Sequence, residues 1–128
     1  MILLDTTVVI DYARGKDAKL VSLLPTLSVA VCGVVRAEFL AGARDPTHRA
    51  SLLTLLSTFH HVVTPDTLWD SVGSNLAALR LKGITVPFAD AAIATLGIES
   101  DLEVWARDPH FPTMQQILPR LKLFQEPP

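Results

Sequence analysis

The sequence predicts an α/β fold, a three-layer α/β/α sandwich around a central, mainly parallel sheet of four to five strands. Three observations carry this expectation. Short β-branched, apolar runs alternate with longer segments of helical period. The runs are apolar throughout rather than alternating, as strands covered on both faces are. The 128 residues, 49% hydrophobic and 19% charged with mean hydropathy +0.36, suit one domain, 1–128, with a large core, and argue against disorder. No internal repeat, low-complexity segment or linker interrupts the chain.

The elements follow in order. "MILLD" reads as a buried strand over 2–5, and "TTVVIDYARG" as a helix stopped by Gly15. Asp17 is a candidate N-cap for "DAKLVSLLPTL", which breaks at Pro25. "SVAVCG" is a second buried strand. "VVRAEFLAGA" is helical to about Gly42, and Pro46 opens a helix that puts Leu52, Leu55, Leu56 and Phe59 on one side. "HHVVTP" is a brief third strand. In "DTLWDSVGSNLAALRLKG", Leu68, Val72, Leu76 and Leu79 recur at helical steps, and Gly83 closes the element. Pro87 starts the helix "PFADAAIATLGIES". "LEVWA" is a fourth strand, "DPHFPTMQQILPRL" a short helix broken at Pro119, and "KLF" a candidate fifth strand.

Composition narrows the function classes. The net charge of −2 and pI of about 6.0 give no global nucleic-acid signature, although a local basic rim remains compatible with one. The single cysteine, Cys32, permits no intrachain disulfide, fits a reducing cytoplasm and reads as a small core residue. "MILLD" has no basic leader region, and the longest uncharged stretch is too short and too polar to cross a membrane. A soluble, cytoplasmic chain is expected.

The acidic residues are placed unlike a solvated surface. Asp5 ends the first strand and Asp108 follows the fourth. Glu38 and Asp90 interrupt largely apolar helices, where an unpaired charge is costly. Ligand sites of parallel α/β sheets form at the carboxyl ends of strands, where Asp5 and Asp108 stand. Glu38 and Asp90, in the first turns of their helices, would join them if those helices start at the same edge. Four such carboxylates repel one another unless a cation holds them. Oxygen ligands without His or Cys favour Mg²⁺ or Mn²⁺, which suits in-line displacement at phosphate. Each residue also has a plainer role open to it. Asp5 can cap the first helix, with Thr6 and Thr7 assisting; Asp90 can favour a helix N-terminus; Glu38 can pair with Arg36 or Arg44; Asp108 before Pro109 can start a helix.

Four segments, spanning nearly the whole chain, resemble a PIN domain, most closely a VapC-type toxin. They are "LLDTTVVID", "VVRAEFLAGA", "LRLKGITVPFADAAIATLG" and "VWARDPHF". The resemblance places the family's acidic set on Asp5, Glu38, Asp90 and Asp108, with Asp5 and Asp90 most directly on metal. It implies a Mg²⁺- or Mn²⁺-dependent endoribonuclease acting on structured RNA, a homodimer and a cognate VapB-like antitoxin. Two positions depart from the family pattern. Thr7 stands where Asn or Ser is common, with a hydroxyl still able to orient Asp5. Ala106 stands where a Thr usually supports the last acidic residue.

Arg36, Arg80, Lys82 and Arg107 are candidate RNA-backbone contacts, Arg80 and Lys82 being equally suited to a helix C-terminus. His110 is either an RNA contact or a packing and capping residue; His60 and His61 read as surface or strand positions. Three other functions stay open: a PIN-fold nuclease without an antitoxin, a non-catalytic binding module, and a phosphatase or phosphotransfer domain. No Walker-type loop or nucleophile motif supports the last.

Overall fold

A computed structural model describes all of residues 1–128. Four strands form one parallel sheet: β1 (Ile2–Leu4), β2 (Val29–Cys32), β3 (His60–Val62) and β4 (Glu103–Trp105), in the order β3-β2-β1-β4. Every residue of β1 and β2 is buried, which requires cover on both faces of the sheet. That cover comes from seven helices: α1 (Thr6–Arg14), α2 (Ala18–Leu23), α3 (Gly33–Ala41), α4 (Pro46–Leu56), α5 (Leu68–Leu81), α6 (Phe88–Glu99) and α7 (His110–Ile117). The α/β expectation is met.

Local chemistry sets the boundaries. The Asp17 carboxylate accepts from Leu20 N at 3.1 Å and caps α2, and Pro25 falls in a 3-10 turn over Leu24–Thr26. Gly15 ends α1 at φ 67°, a left-handed cap that favours glycine. α6 is buried along Asp90–Gly97 and packs most closely on α5. Trp69 stacks on Phe88, and Asn75 donates to the Thr95 hydroxyl at 2.9 Å, so paired positions advance together along both helices. α5 and α6 therefore run parallel, and the Lys82–Pro87 connection returns the length of α5.

One expectation changes. "KLF" adds no fifth strand: a single parallel bridge joins Leu123 to Val104, flanked by hydrogen bonds Val104 N to Lys122 O (2.8 Å) and Phe124 N to Val104 O (2.9 Å). β3 is a sheet edge, with His60 and His61 exposed strand residues, as expected of surface or strand positions. Cys32 lies in the core, where burial pushes its thiol pKa up. Trp105 is wholly buried and packs on Phe124 with ring centroids 4.6 Å apart; its indole Nε1 is the one buried side-chain polar atom without a hydrogen-bond partner. No helix is long and apolar enough to cross a membrane.

Candidate metal centre

Asp5 leaves β1 in extended conformation and caps α1. Its Oδ2 accepts from Thr7 N at 3.3 Å and from the Thr7 hydroxyl at 2.6 Å, while its own N–H donates to Trp105 O at 2.9 Å. Cap and site are one residue. Asp5 is only 1% exposed, and burial raises its pKa against the opposing hydrogen bonds from Thr7. The Thr7 hydroxyl also accepts from Arg107 N at 3.2 Å. One side chain thus ties the end of β1 to the end of β4.

Asp108 lies beyond β4. Its Oδ1 accepts from His110 N at 2.9 Å, a turn that starts α7, and stands 2.8 Å from His110 Nδ1. That same Nδ1 is 2.9 Å from Asp90 Oδ2. Asp90, third residue of α6, faces the ends of β1 and β4. Its pKa is raised to about 6, first by burial and then by the charges of Asp5 and Asp108, with His110 opposing. No lysine or arginine pairs with Asp5, Asp90 or Asp108. One donor atom each from Asp90, Asp108 and His110 lies within 4.8 Å of the others, close to the diameter of the ligand shell around one divalent cation. Buried carboxylates without cationic side chains fit such an ion.

Glu38 departs from expectation. It occupies the second turn of α3, not the first, and is exposed rather than set among apolar neighbours. Its Oε1 accepts from the Thr6 hydroxyl at 2.6 Å, and it forms no ion pair with Arg36 or Arg44. Thr6 thus links Glu38 to the first residue of α1, beside Asp5.

No family model matches this chain, and no characterised protein matches it in sequence. Solved structures match its fold over almost its whole length. A chain of VapBC2 from Rickettsia felis, bound to a promoter DNA fragment, superposes with TM-score 0.83 at 20% identity, covering 97% of this chain and 98% of that one. VapBC-1 from nontypeable Haemophilus influenzae gives 0.81 at 15% identity, covering 98% of both. FitAcB from Neisseria gonorrhoeae gives 0.74 at 20%, again covering 98% of both. The chain has the PIN-domain fold.

Within this PIN-domain fold the basic candidates disperse. Arg107, a candidate RNA-backbone contact, is engaged by carboxylates: its guanidinium contacts Asp11 (3.0 Å), Asp17 (2.9 Å) and Glu126 (2.7 Å). Arg80 and Lys82 stand at the C-terminal end of α5, roughly 16 Å along the axis from Trp69 and the start of α6. Their proximity to Asp90 in sequence is undone by the returning connection. Arg36 is half-buried in α3, two residues before Glu38. His110 is the member the sequence underweighted. Its signal was the Asp-Pro-His order, because an Asp that caps its own turn brings the second following residue back to its carboxylate.

Proposed function

We propose that this chain is a VapC-type toxin: a divalent-metal-dependent endoribonuclease of the cytoplasm, active as a homodimer and neutralised by a small VapB-like antitoxin. The observation that carries the proposal is the convergence of Asp90, Asp108 and His110, whose donor atoms lie within 4.8 Å of one another, beside Asp5 at the carboxyl edge of the sheet and without a lysine or arginine partner. The toxin–antitoxin assignment is supported by the fold shared with VapBC and FitAB complexes.

Asp5 and Asp90 are the expected metal ligands; the donor atoms that lie together are those of Asp90, Asp108 and His110, so Asp90 and Asp108 would hold Mg²⁺ or Mn²⁺ with Asp5 beside them. A divalent cation held there would supply positive charge for the phosphate oxygens and lower the pKa of a water for in-line attack. Thr7 fixes the Asp5 carboxylate, and the Asp108 turn fixes His110. Glu38, exposed and held by the Thr6 hydroxyl, would accept a proton from the attacking water. Water rather than the 2′-hydroxyl would attack phosphorus and the P–O3′ bond would break, the 3′-oxygen leaving and taking up a proton, so that the product bears a 5′-phosphate.

A groove of about 640 Å³ leads away from Glu38 between α1, α3 and α4. Phe39, Leu52 and Leu55 give it an apolar floor, while Arg14, Arg44 and His48 line it with basic groups. An amphipathic antitoxin segment carrying acidic residues complements that lining.

The test is RNA cleavage by purified protein with Mg²⁺ or Mn²⁺, the parent against Asp90→Asn. The variant is expected to lose activity by about two orders of magnitude or more. Cleavage as fast as the parent's overturns the proposal, as does a product without a 5′-phosphate.

A further inference from the structure

One surface feature has no role in the site as described. Trp69 and Phe88 stand in water as a near-parallel pair, with ring centroids 6.3 Å apart and planes 13° from one another. They are 45% and 59% exposed, although the other tryptophan, Trp105, is wholly buried. Burial of their own helices does not explain the pair. α5 packs through Leu68, Val72 and Leu79, and α6 through Ala91–Leu96, so both elements are seated without these rings. Large exposed aromatics placed together mark a surface that something covers.

The position of the pair selects the occupant. Phe88 is the first residue of α6 and Asp90 the third, so the rings and the carboxylate centre belong to the same helix end. Residues two apart leave a helix on nearly opposite sides, which separates ring from carboxylate by about one helix diameter, ~10 Å. A polynucleotide with a phosphate at the carboxylates would therefore carry a flanking base, not the scissile nucleotide, past the rings. Planar, apolar faces of this kind take any base, because every base has a π-face.

We infer that Trp69 and Phe88 form a stacking platform for an unpaired base of single-stranded RNA, flanking the phosphate held at Asp90 and Asp108. The inference rests on the nuclease proposal for its substrate class, and it makes the preferred substrate an unpaired segment rather than a duplex. The pair recognises a base without reading its identity, so the platform supplies affinity and register but little sequence preference.

The experiment uses the full-length parent, Trp69→Leu, Phe88→Leu and the conservative Trp69→Phe. Binding of a short single-stranded oligoribonucleotide, with Ca²⁺ in place of Mg²⁺ so that the carboxylates do not repel the phosphate, is followed by tryptophan fluorescence in the parent and by anisotropy of the labelled RNA in all four. Cleavage is measured separately with Mg²⁺, and oligomeric state by light scattering. Quenching of the parent's fluorescence is expected, since Trp69 is open to a stacked base and Trp105 is not. Each Leu variant is expected to bind about tenfold more weakly or worse, with KM raised and kcat little changed, whereas Trp69→Phe keeps most of the affinity. An oligonucleotide abasic at the flanking position should reproduce the loss on the parent. Leu variants that bind and cleave like the parent overturn the platform and leave the nuclease proposal standing. Quenching and weakened variants without any cleavage uphold the platform and overturn the nuclease. Leu variants that turn from dimer to monomer, with no quenching in the parent, assign the pair to a protein interface and overturn the platform.

Discussion

Asp90 is held where its charged form is disfavoured, by burial and by the nearby charges of Asp5 and Asp108. An acid whose folded pKa is raised binds its proton more tightly folded than unfolded. Its stabilising effect is complete below its ordinary value of 3.8 and is lost as pH rises through about 6. With metal chelated, Asp90→Asn is therefore expected to be more stable than the parent at pH 7.5, by about 2–3 kcal/mol, with the gap closing near pH 4. Urea melts at the two pH values check this. Added Mg²⁺ should then stabilise the parent and not the variant. His110 pulls the Asp90 pKa down by hydrogen bond and charge. His110→Ala is expected to shift the acid limb of Mg²⁺ binding to higher pH, as measured by calorimetry between pH 5 and 8. At this scale the sequence exposes Asp5, Asp90 and Asp108, because strand ends and a first helical turn can be located from pattern alone. It does not expose the aim of a ring. His110 reaches both carboxylates only because the Asp108 turn folds it back, and Glu38 sits in solvent because its helix turns that side outward.

The elements themselves were largely written in caps and periodicity: Asp17, Gly15, Pro46 and Pro87 stand at helix boundaries. What pattern does not encode is which elements meet. The parallel course of α5 and α6, and the exposure of β3 at a sheet edge, depend on pairings distant in sequence. Gly97 shows such a meeting. A Cβ added there would lie 2.5 Å from Val104 Cγ2 and 3.4 Å from Leu102 O, so glycine is what lets α6 approach β4. Helix propensity favours alanine over glycine by about 1 kcal/mol, but the clash is with a branched side chain in a fully buried strand position. Gly97→Ala is expected to destabilise by about 1–3 kcal/mol. The double variant with Val104→Ala should cost less than the sum of the two single changes, since Val104→Ala removes the clashing methyl and the new Cβ fills part of the cavity it leaves. Chemical denaturation of the four proteins completes that cycle.

Across the whole molecule, Arg107 is the tie between parts that share no sheet contact. It joins the end of β4 to Asp11 in α1, to the Asp17 cap of α2 and to Glu126 in the C-terminal segment. Its partners' charged forms are favoured: Asp17 is lowered chiefly by the Leu20 N–H and then by Arg107, and Glu126 chiefly by Arg107. Carboxylates with depressed folded pKa values stabilise above their ordinary values and lose that effect as pH falls through the lowered ones. Acidification below about pH 4.5 should thus weaken the parent by this route, and Arg107→Ala should flatten that fall. Because the network is only partly shielded from water, the substitution is expected to cost about 1–2 kcal/mol at neutral pH, less at high salt. The same variant separates a tie from a phosphate contact. The backbone N–H of Arg107 remains on Thr7 whatever its side chain, so Asp108 keeps its place. If the guanidinium serves the fold, Arg107→Ala lowers the melting temperature and leaves the KM for RNA and its salt dependence unchanged. If it serves a phosphate, KM rises and the salt slope falls by about one, with little loss of stability. Three carboxylates within 3.0 Å of the guanidinium favour the first outcome, because an incoming phosphate would have to displace anions already bound there.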